Sequence, residues 1–529
     1  MDIRDPAFIV SSLAASICAR DYSDHGFGAH LHRLYFRCRG DILANWLALA
    51  LCFLFLTTLT CALVYPGYID HLEPLIAAIS WLGLKGFPAH PLWSHDEGLY
   101  GVLYGPVIYQ ITSLVLAVVP TIIASKVLGI LMPFVATVSQ YQVIRRLEQN
   151  PQTRYRLLAI TIVACSNSLY VFSDRPDSFI YALVSISLYC LVTNSAGVAA
   201  LLIGAAAGLA LNMKPHALLY FSAPVSMLIT AQSDTVQRVK CVLLCAGSSL
   251  VVSLLPFIVP GANFFLFGEY LLLAAHHGLV PQLIVMNLEF ACALMTFPAV
   301  AYWLLRPRLR PPDVAFLLSF ATSLVIVAVV AGKVGAGLHH FYPFIPVAIF
   351  ALIRILNAPK RADTGISPTV ALRVLFIPML VTFGATAILS DTKVIYLVVS
   401  SYSEQKRELT ELLALFSKYP GAELGVSDGT RYRDTLLFPA LIFRGGTLLF
   451  NNAAWIDLKQ GGVSEQYAVD LLTHCRVGAW ILPATGKPFS MPNPYTMKPV
   501  MSEHFRETFF SDYEFVEHGA YYDLWKCKN

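Results

Sequence analysis

Four carboxylates stand close together in a chain that otherwise carries few charges. Between Tyr65 and Tyr109 the sequence reads YPGYIDHLEPLIAAISWLGLKGFPAHPLWSHDEGLYGVLYGPVIY, and it holds Asp70, Glu73, Asp96 and Glu97. Only 13% of the 529 residues are charged, so acids gathered here need a reason. Asp70 and Glu73 are spaced i,i+3, and Pro74 suits the first turn of a helix that follows. One reading is capping, in which a carboxylate satisfies free N–H groups and meets the positive end of the helix dipole. The other is proton transfer. A carboxylate held at membrane depth is partly desolvated, which raises its pKa and sharpens it as a base.

Cations that could face these acids lie in three later stretches. They are Ser173-Asp174-Arg175-Pro176-Asp177, Met213-Lys214-Pro215-His216, and Lys333-Val334-Gly335-Ala336-Gly337-Leu338-His339-His340. Acids opposite cations suggest a site where a phosphate leaves and a proton is taken. The glycines at 335 and 337 would let backbone approach a phosphate or lipid head group. On this reading Asp70, Asp96 and Glu97 are the candidate catalytic acids. Glu73, Arg175, Asp177, Lys214, His216, Tyr270, Lys333, His339 and His340 are candidate substrate-binding residues. Blander roles compete: Arg175 can pair with Asp174 or Asp177, and Lys333 can snorkel to the head groups. His276-His277, with Glu269 and Tyr270 nearby, fits no zinc spacing, so head-group contact is the simpler reading there. No metal and no cofactor is expected.

The elements that must position these residues are membrane helices. The chain is 56% hydrophobic with a mean hydropathy of +0.62, and apolar runs close to the ~20 residues needed to cross a bilayer recur along it. Residues 1–40, with Arg4, Arg20, Arg33, Arg37 and Arg39, read as a cytoplasmic tail with a short interfacial helix over Phe8–Cys18. The first span is Ile42–Tyr65, and a first outer loop follows over 66–104. Within that loop, Leu75–Leu84 is apolar enough to lie in the membrane interface. A long apolar tract, Tyr104–Leu147, is interrupted at Pro120. Further spans fall near 157–173, 178–194, 197–213, 216–231, 240–259, 282–304, 313–332, 341–357 and 369–389.

Placing the basic loops around Arg145, Arg238, Arg306 and Arg354 on the cytoplasmic side closes the topology with about 11 spans. All three cation stretches, the loop over 261–281 and everything after Ser390 then share the outer side with the acids. Residues 41–390 are thus expected as the membrane domain and 391–529 as a soluble α/β domain. Its strand-like runs are Leu437–Phe443 and Thr447–Phe450, and Glu404–Lys418 is helical by pattern. Cys475 and Cys527 could pair if that side is oxidising. The chain has no CxxC pair, no GxGxxG, no phosphate-binding GxxxxGK[ST] and no interleaved basic and aromatic patch. Nucleic acid is not an expected partner.

Taken together, these features resemble the GT-C superfamily of integral-membrane glycosyltransferases. The features are a first span, a large outer loop with an early acid, a second tract opening Tyr-Gly-Pro-Val-Ile-Tyr, many spans and an outer α/β domain. That superfamily includes protein O-mannosyltransferases and lipid A aminoarabinose transferases. The resemblance implies a polyprenyl-phosphate sugar as donor, a glycan, lipid or protein hydroxyl as acceptor, and inversion at the anomeric carbon. It also implies that an acid of the first outer loop is the base. Asp70 matches by position, while Asp96-Glu97 matches the superfamily's paired Asp-Glu but lies later in the loop. The absence of any Asp-x-Asp fits a lipid-phosphate donor rather than a nucleotide sugar. The implied location is a bacterial inner membrane, with the site and the C-terminal domain periplasmic. A lipid-linked sugar flippase or other transporter is the main alternative. It would place charges at mid-membrane on broken helices in matching halves.

Overall fold

The computed structural model describes residues 39–93, 97–166, 171–359 and 366–528. Asp96, most of the N-terminal tail and the helix expected at Phe8–Cys18 lie outside the described residues. The chain runs through α1 (Arg39–Val64), α2 (Glu73–Leu84), α3 (Pro106–Leu116), α4 (Ile122–Leu147), α5 (Pro151–Cys165), α6 (Pro176–Thr193) and α7 (Ala196–Met213). It continues through α8 (Ser222–Thr230), α9 (Thr235–Leu254), α10 (Phe264–His276), α11 (Pro281–Leu305), α12 (Pro311–Val330), α13 (Ile345–Leu356) and α14 (Pro368–Lys418).

Nine helices among the described residues are long and apolar enough to cross a membrane. Several keep large apolar side chains on their outer faces, such as Phe53 on α1, Leu243 on α9 and Leu318 on α12. Such faces suit a lipid solvent, where every backbone polar group must be satisfied within the helix. Proline opens α3, α5, α6, α11, α12 and α14, a position where its missing N–H costs nothing. The tract over Tyr104–Leu147 is two helices. They part around Pro120, and Thr121 Oγ1 accepts the Ala124 N–H to restart the chain as α4.

Helix α2 departs from the expected interfacial piece. Leu75, Ile76, Ala77, Ala78 and Ile79 are all buried, so it packs inside the protein instead of floating on head groups. Its apolar faces are covered by α3 and by residues of the C-terminal domain.

Helix α14 runs 51 residues without a break and carries the chain straight through residue 390 into the C-terminal domain. That domain holds β1 (Glu423–Leu424), α15 (Pro439–Ile442), α16 (Asn452–Gln460), α17 (Gln466–Thr473), β2 (Ala479–Pro483), α18 (Glu503–Asp512), β3 (Tyr513–His518) and β4 (Tyr522–Cys527). The sheet order is β1-β2-β4-β3, with β1 parallel to β2 and the other pairs antiparallel. Trp455, Trp480, Phe489, Phe505 and Phe509 fill its core. A disulfide joins Cys475 to Cys527, whose Cα atoms are 5.9 Å apart.

Two expected strands are not strands. Leu437–Phe443 is helical, because Pro439 sets a helical φ at the start of α15 and the run is buried on all sides. A continuous apolar run of that length does not distinguish strand from helix. The stretch 447–450 instead makes a single parallel bridge, Phe450 to Leu99 of the first loop. There Leu99 N–H donates to Leu449 O at 2.6 Å and Asn451 N–H donates to Leu99 O at 3.1 Å. The soluble domain is thus fastened to the loop that carries the acids.

Candidate functional site

The stretches that charge parity assigned to one side do meet at one end of the bundle. Asp70 lies between α1 and α2. Its Oδ2 accepts the N–H groups of Leu72 (3.1 Å) and Glu73 (3.3 Å), so it does cap α2. Its Oδ1 meets Arg175 Nη1 at 3.0 Å and His71 Nδ1 at 3.4 Å. Capping and charge pairing are therefore one arrangement.

Arg175 and Lys214 each stand directly before a proline. That neighbour excludes the helical region for them, and both are extended, at φ −134° and −145°. Each side chain therefore leaves its helix end and turns into the cluster. Arg175 Nε lies 3.5 Å from Asp177 Oδ2, and Lys214 Nζ lies 2.7 Å from Asp177 Oδ1. Asp70, Arg175, Asp177 and Lys214 are all buried. Tyr104 completes the group: Arg175 Nη2 donates to its hydroxyl at 3.3 Å, and Lys214 Nζ sits 5.4 Å from its ring centre.

Two glycines make this approach possible. A Cβ at Gly105 would stand 1.6 Å from the Asn212 carbonyl oxygen. Only glycine lets the start of α3, and Tyr104 with it, press against the end of α7. A Cβ at Gly129 would stand 2.3 Å from the Asp174 nitrogen, so α4 can lie under the loop that carries Arg175.

A second group of buried polar residues lies behind Asp70. A cavity of about 290 Å³, counted to its mouth, is lined by Asp70, Glu73, Lys126, Ser173 and four apolar residues. Glu73 accepts the Asp174 N–H at 3.1 Å. Lys126 donates to the carbonyls of Ala62 and Tyr65. Burial pushes the Glu73 carboxyl up against the opposing pull of Lys126. Asp174 is raised well above the usual range by burial. Asp70 moves the other way, because Arg175, His71 and the Leu72 N–H outweigh its burial. The expected upward shift thus falls on Glu73 and Asp174, and Asp70 is firmly ionised.

The remaining candidates sort by their partners. His340 Nδ1 lies 2.8 Å from His216 Nε2, and the His339 and His340 rings are 4.3 Å apart. Burial and nearby Lys214 push His216 down to about 3. Lys333 Nζ donates to Ala274 O at 3.0 Å near the end of α10, which suits a cation at a helix C-terminus. Tyr270 is buried, and its hydroxyl donates to Pro91 O at 2.9 Å, so it braces the first loop. Glu97 is exposed and accepts the Leu92 N–H at 2.8 Å. Among the described acids of the first loop, Asp70 is the one that Arg175 pairs with. No group of three or more metal-ligating side chains occurs among the described residues.

Residues missed from sequence also border the site. His71 was legible as Asp70's neighbour, and Tyr104 as part of the quoted Tyr-Gly-Pro stretch. Asp457 and Tyr432 come from the soluble domain, and no local signal points to them. The Asp457 carboxyl is raised by burial, against the pull of His277 and His71. Burial and then the Asp70 charge push the Tyr432 hydroxyl up.

No protein-family model matches this sequence, and no curated protein does. Solved structures do match in shape. ArnT from Cupriavidus metallidurans, a structure bound to undecaprenyl phosphate, aligns over 92% of this chain and 97% of its own, with a TM-score of 0.55 at 14% identity. The Archaeoglobus fulgidus oligosaccharyltransferase covers 94% of this chain and 75% of its own, with a TM-score of 0.46 at 12% identity. Nearly the whole length of the first is thus reproduced, membrane bundle and soluble domain together, and the chain is a membrane protein of the GT-C fold.

Proposed function

We propose that this protein is a membrane glycosyltransferase. It moves a sugar from a polyprenyl-phosphate donor to an acceptor hydroxyl on a glycan, lipid or protein. The observation that carries this reading is the buried Asp70–Arg175–Asp177–Lys214 cluster, set on the GT-C fold at the end of the bundle that the soluble domain covers. The bound undecaprenyl phosphate of the ArnT structure supports a donor of that class.

The chemistry follows from the charges. The acceptor hydroxyl loses its proton at the Asp70 end, and its oxygen forms a bond to the anomeric carbon. The bond from that carbon to the phosphate oxygen breaks, and the electron pair leaves on the phosphate. One displacement inverts the anomeric centre. The departing phosphate needs fixed positive charge, which is worth most in a site closed to water. Arg175 meets Asp70 directly and Lys214 joins the cluster through Asp177, with His216, His339, His340 and Lys333 beyond. The four-residue cluster is formally neutral as it stands. An arriving phosphate therefore competes with Asp177 for Lys214. The site and the soluble domain face the periplasm of a bacterial inner membrane on this reading.

The test is transfer by the purified protein from a panel of radiolabelled undecaprenyl-phosphate sugars to native membrane extract. Label released from the lipid into an acceptor is the expected result. Donor carried across vesicles without cleavage would replace this reading with transport.

A further inference from the structure

Asp70 has little capacity left to receive a proton. A carboxylate offers about four acceptor positions; Arg175 and two backbone N–H groups fill three of them here, and His71 Nδ1 stands 3.4 Å from Oδ1 beside them. Its side chain is 2% exposed, whereas that of His71 is 43% exposed. The pair stands in the order carboxylate, imidazole, open space. In that order an acid can hold a histidine in one tautomer and orient it as a general base.

We propose that His71 is the residue that takes the proton from the acceptor hydroxyl, with Asp70 as the positioning residue behind it. This rests on the glycosyl-transfer reading above. With its proton on Nδ1, 3.4 Å from Asp70 Oδ1, His71 keeps the Nε2 lone pair for the substrate. In the reaction the acceptor O–H bond breaks, its proton moves to Nε2, and the oxygen bonds to the anomeric carbon. The carbon–phosphate oxygen bond breaks, and its electron pair departs with the phosphate. The imidazolium formed is held by Asp70 and returns its proton to water through its exposed edge.

The acids that act on His71 are Asp70 on its own segment, which also holds Arg175, and Asp457 on α16 of the soluble domain, which also faces His277. Asp457 gives the docked domain a direct part in the site. Tyr104 lies within the field of both acids.

The experiment uses the full-length protein and the transfer assay described above. His71→Ala is expected to lower kcat by about 10⁴-fold, with the KM for donor little changed. Added imidazole should restore several-fold activity to this variant and none to Asp70→Asn. The double variant should lose no more than Asp70→Asn alone, since residues that act as a unit are not additive. Wild-type turnover in His71→Ala overturns the proposal. So does a loss that imidazole cannot rescue, because a structural role would not respond to it. Absence of transfer by the wild-type protein is a different result and removes the glycosyl-transfer reading itself.

Discussion

Asp177 and Asp313 are built by the same local recipe and end in different surroundings. Each lies in the first turn of a helix opened by proline, just after an arginine: Arg175-Pro176-Asp177 and Arg310-Pro311-Pro312-Asp313. Each pairs with that arginine at 3.5 Å and with a distant cation at 2.7 Å, Lys214 for Asp177 and Arg354 for Asp313. At Asp313 the arginines are 66% and 19% exposed. At Asp177 the cations are 3% and 5% exposed. The first is a clamp that ties α12 to α13 with its cations reaching water. The second has drawn all its charges out of water and added a further acid, Asp70. Burying such a cluster contributes little net stability, since desolvation offsets the attraction. A chain that accepts that cost at one end of the bundle and avoids it at the other marks the first as the working end.

Substitutions test the contrast in order of expected effect. Asp70→Asn should lower turnover by about 10⁴-fold, the scale seen when the acid behind a histidine base is neutralised. Donor binding measured by filtration of labelled lipid should survive. Retained turnover would reduce the Asp70 cluster to a clamp like that of Asp313. Lys214→Met should come next, with kcat down about 10²–10³-fold as one fixed charge at the leaving group is lost. If only the KM for donor rises, Lys214 binds ground state and transition state alike. Asp313→Asn should leave turnover per folded molecule unchanged and cost about 3 kcal/mol of stability, read from thermal melts. Here a drop in kcat, with the melting temperature unchanged, would break the comparison from the other side.

The sequence made the outline of this site legible through charge sparsity. In a chain so poor in charge, Asp70, Arg175 and Lys214 stand out, and loop parity places them at one end of the bundle. The structure brings them together there. What stayed hidden depends on packing. The prolines after Arg175 and Lys214 were in plain view, yet only the fold shows that they turn both side chains inward. Nothing local distinguishes Gly105 and Gly129 from other glycines until the helices they admit are seen. Asp457 and Tyr432 lie hundreds of residues from His71 and Asp70 and come to them on a domain fastened where Leu99 pairs with residues 449–451. The run Leu437–Phe443 shows the opposite failure. Its uniform burial erases the alternation from which a strand is read.

Glu423 supplies a third kind of buried acid, one with no ion pair among the described residues, and its expected effect falls on stability alone. Its carboxylate accepts Thr447 Oγ1 at 3.0 Å, Leu449 N–H at 2.8 Å and Phe450 N–H at 3.2 Å. It thus holds the segment that pairs with Leu99. Burial pushes its carboxyl up to about 7 from an ordinary 4.5, although those three hydrogen bonds pull it down. The folded protein then binds a proton between about 4.5 and about 7 that the unfolded chain has released. Stability in that window must fall as pH rises, and it should level off above it. The change should be about 3 kcal/mol for one such group, and it should vanish in Glu423→Gln. Melts of both proteins across the window, followed by tryptophan fluorescence, read it through Trp455 and Trp480 in the same core. A wild-type stability that climbs with pH would mean that the three donors win over burial. Glu423 would then be a carboxylate clamped like Asp70, by donors strong enough to keep it ionised without any cation.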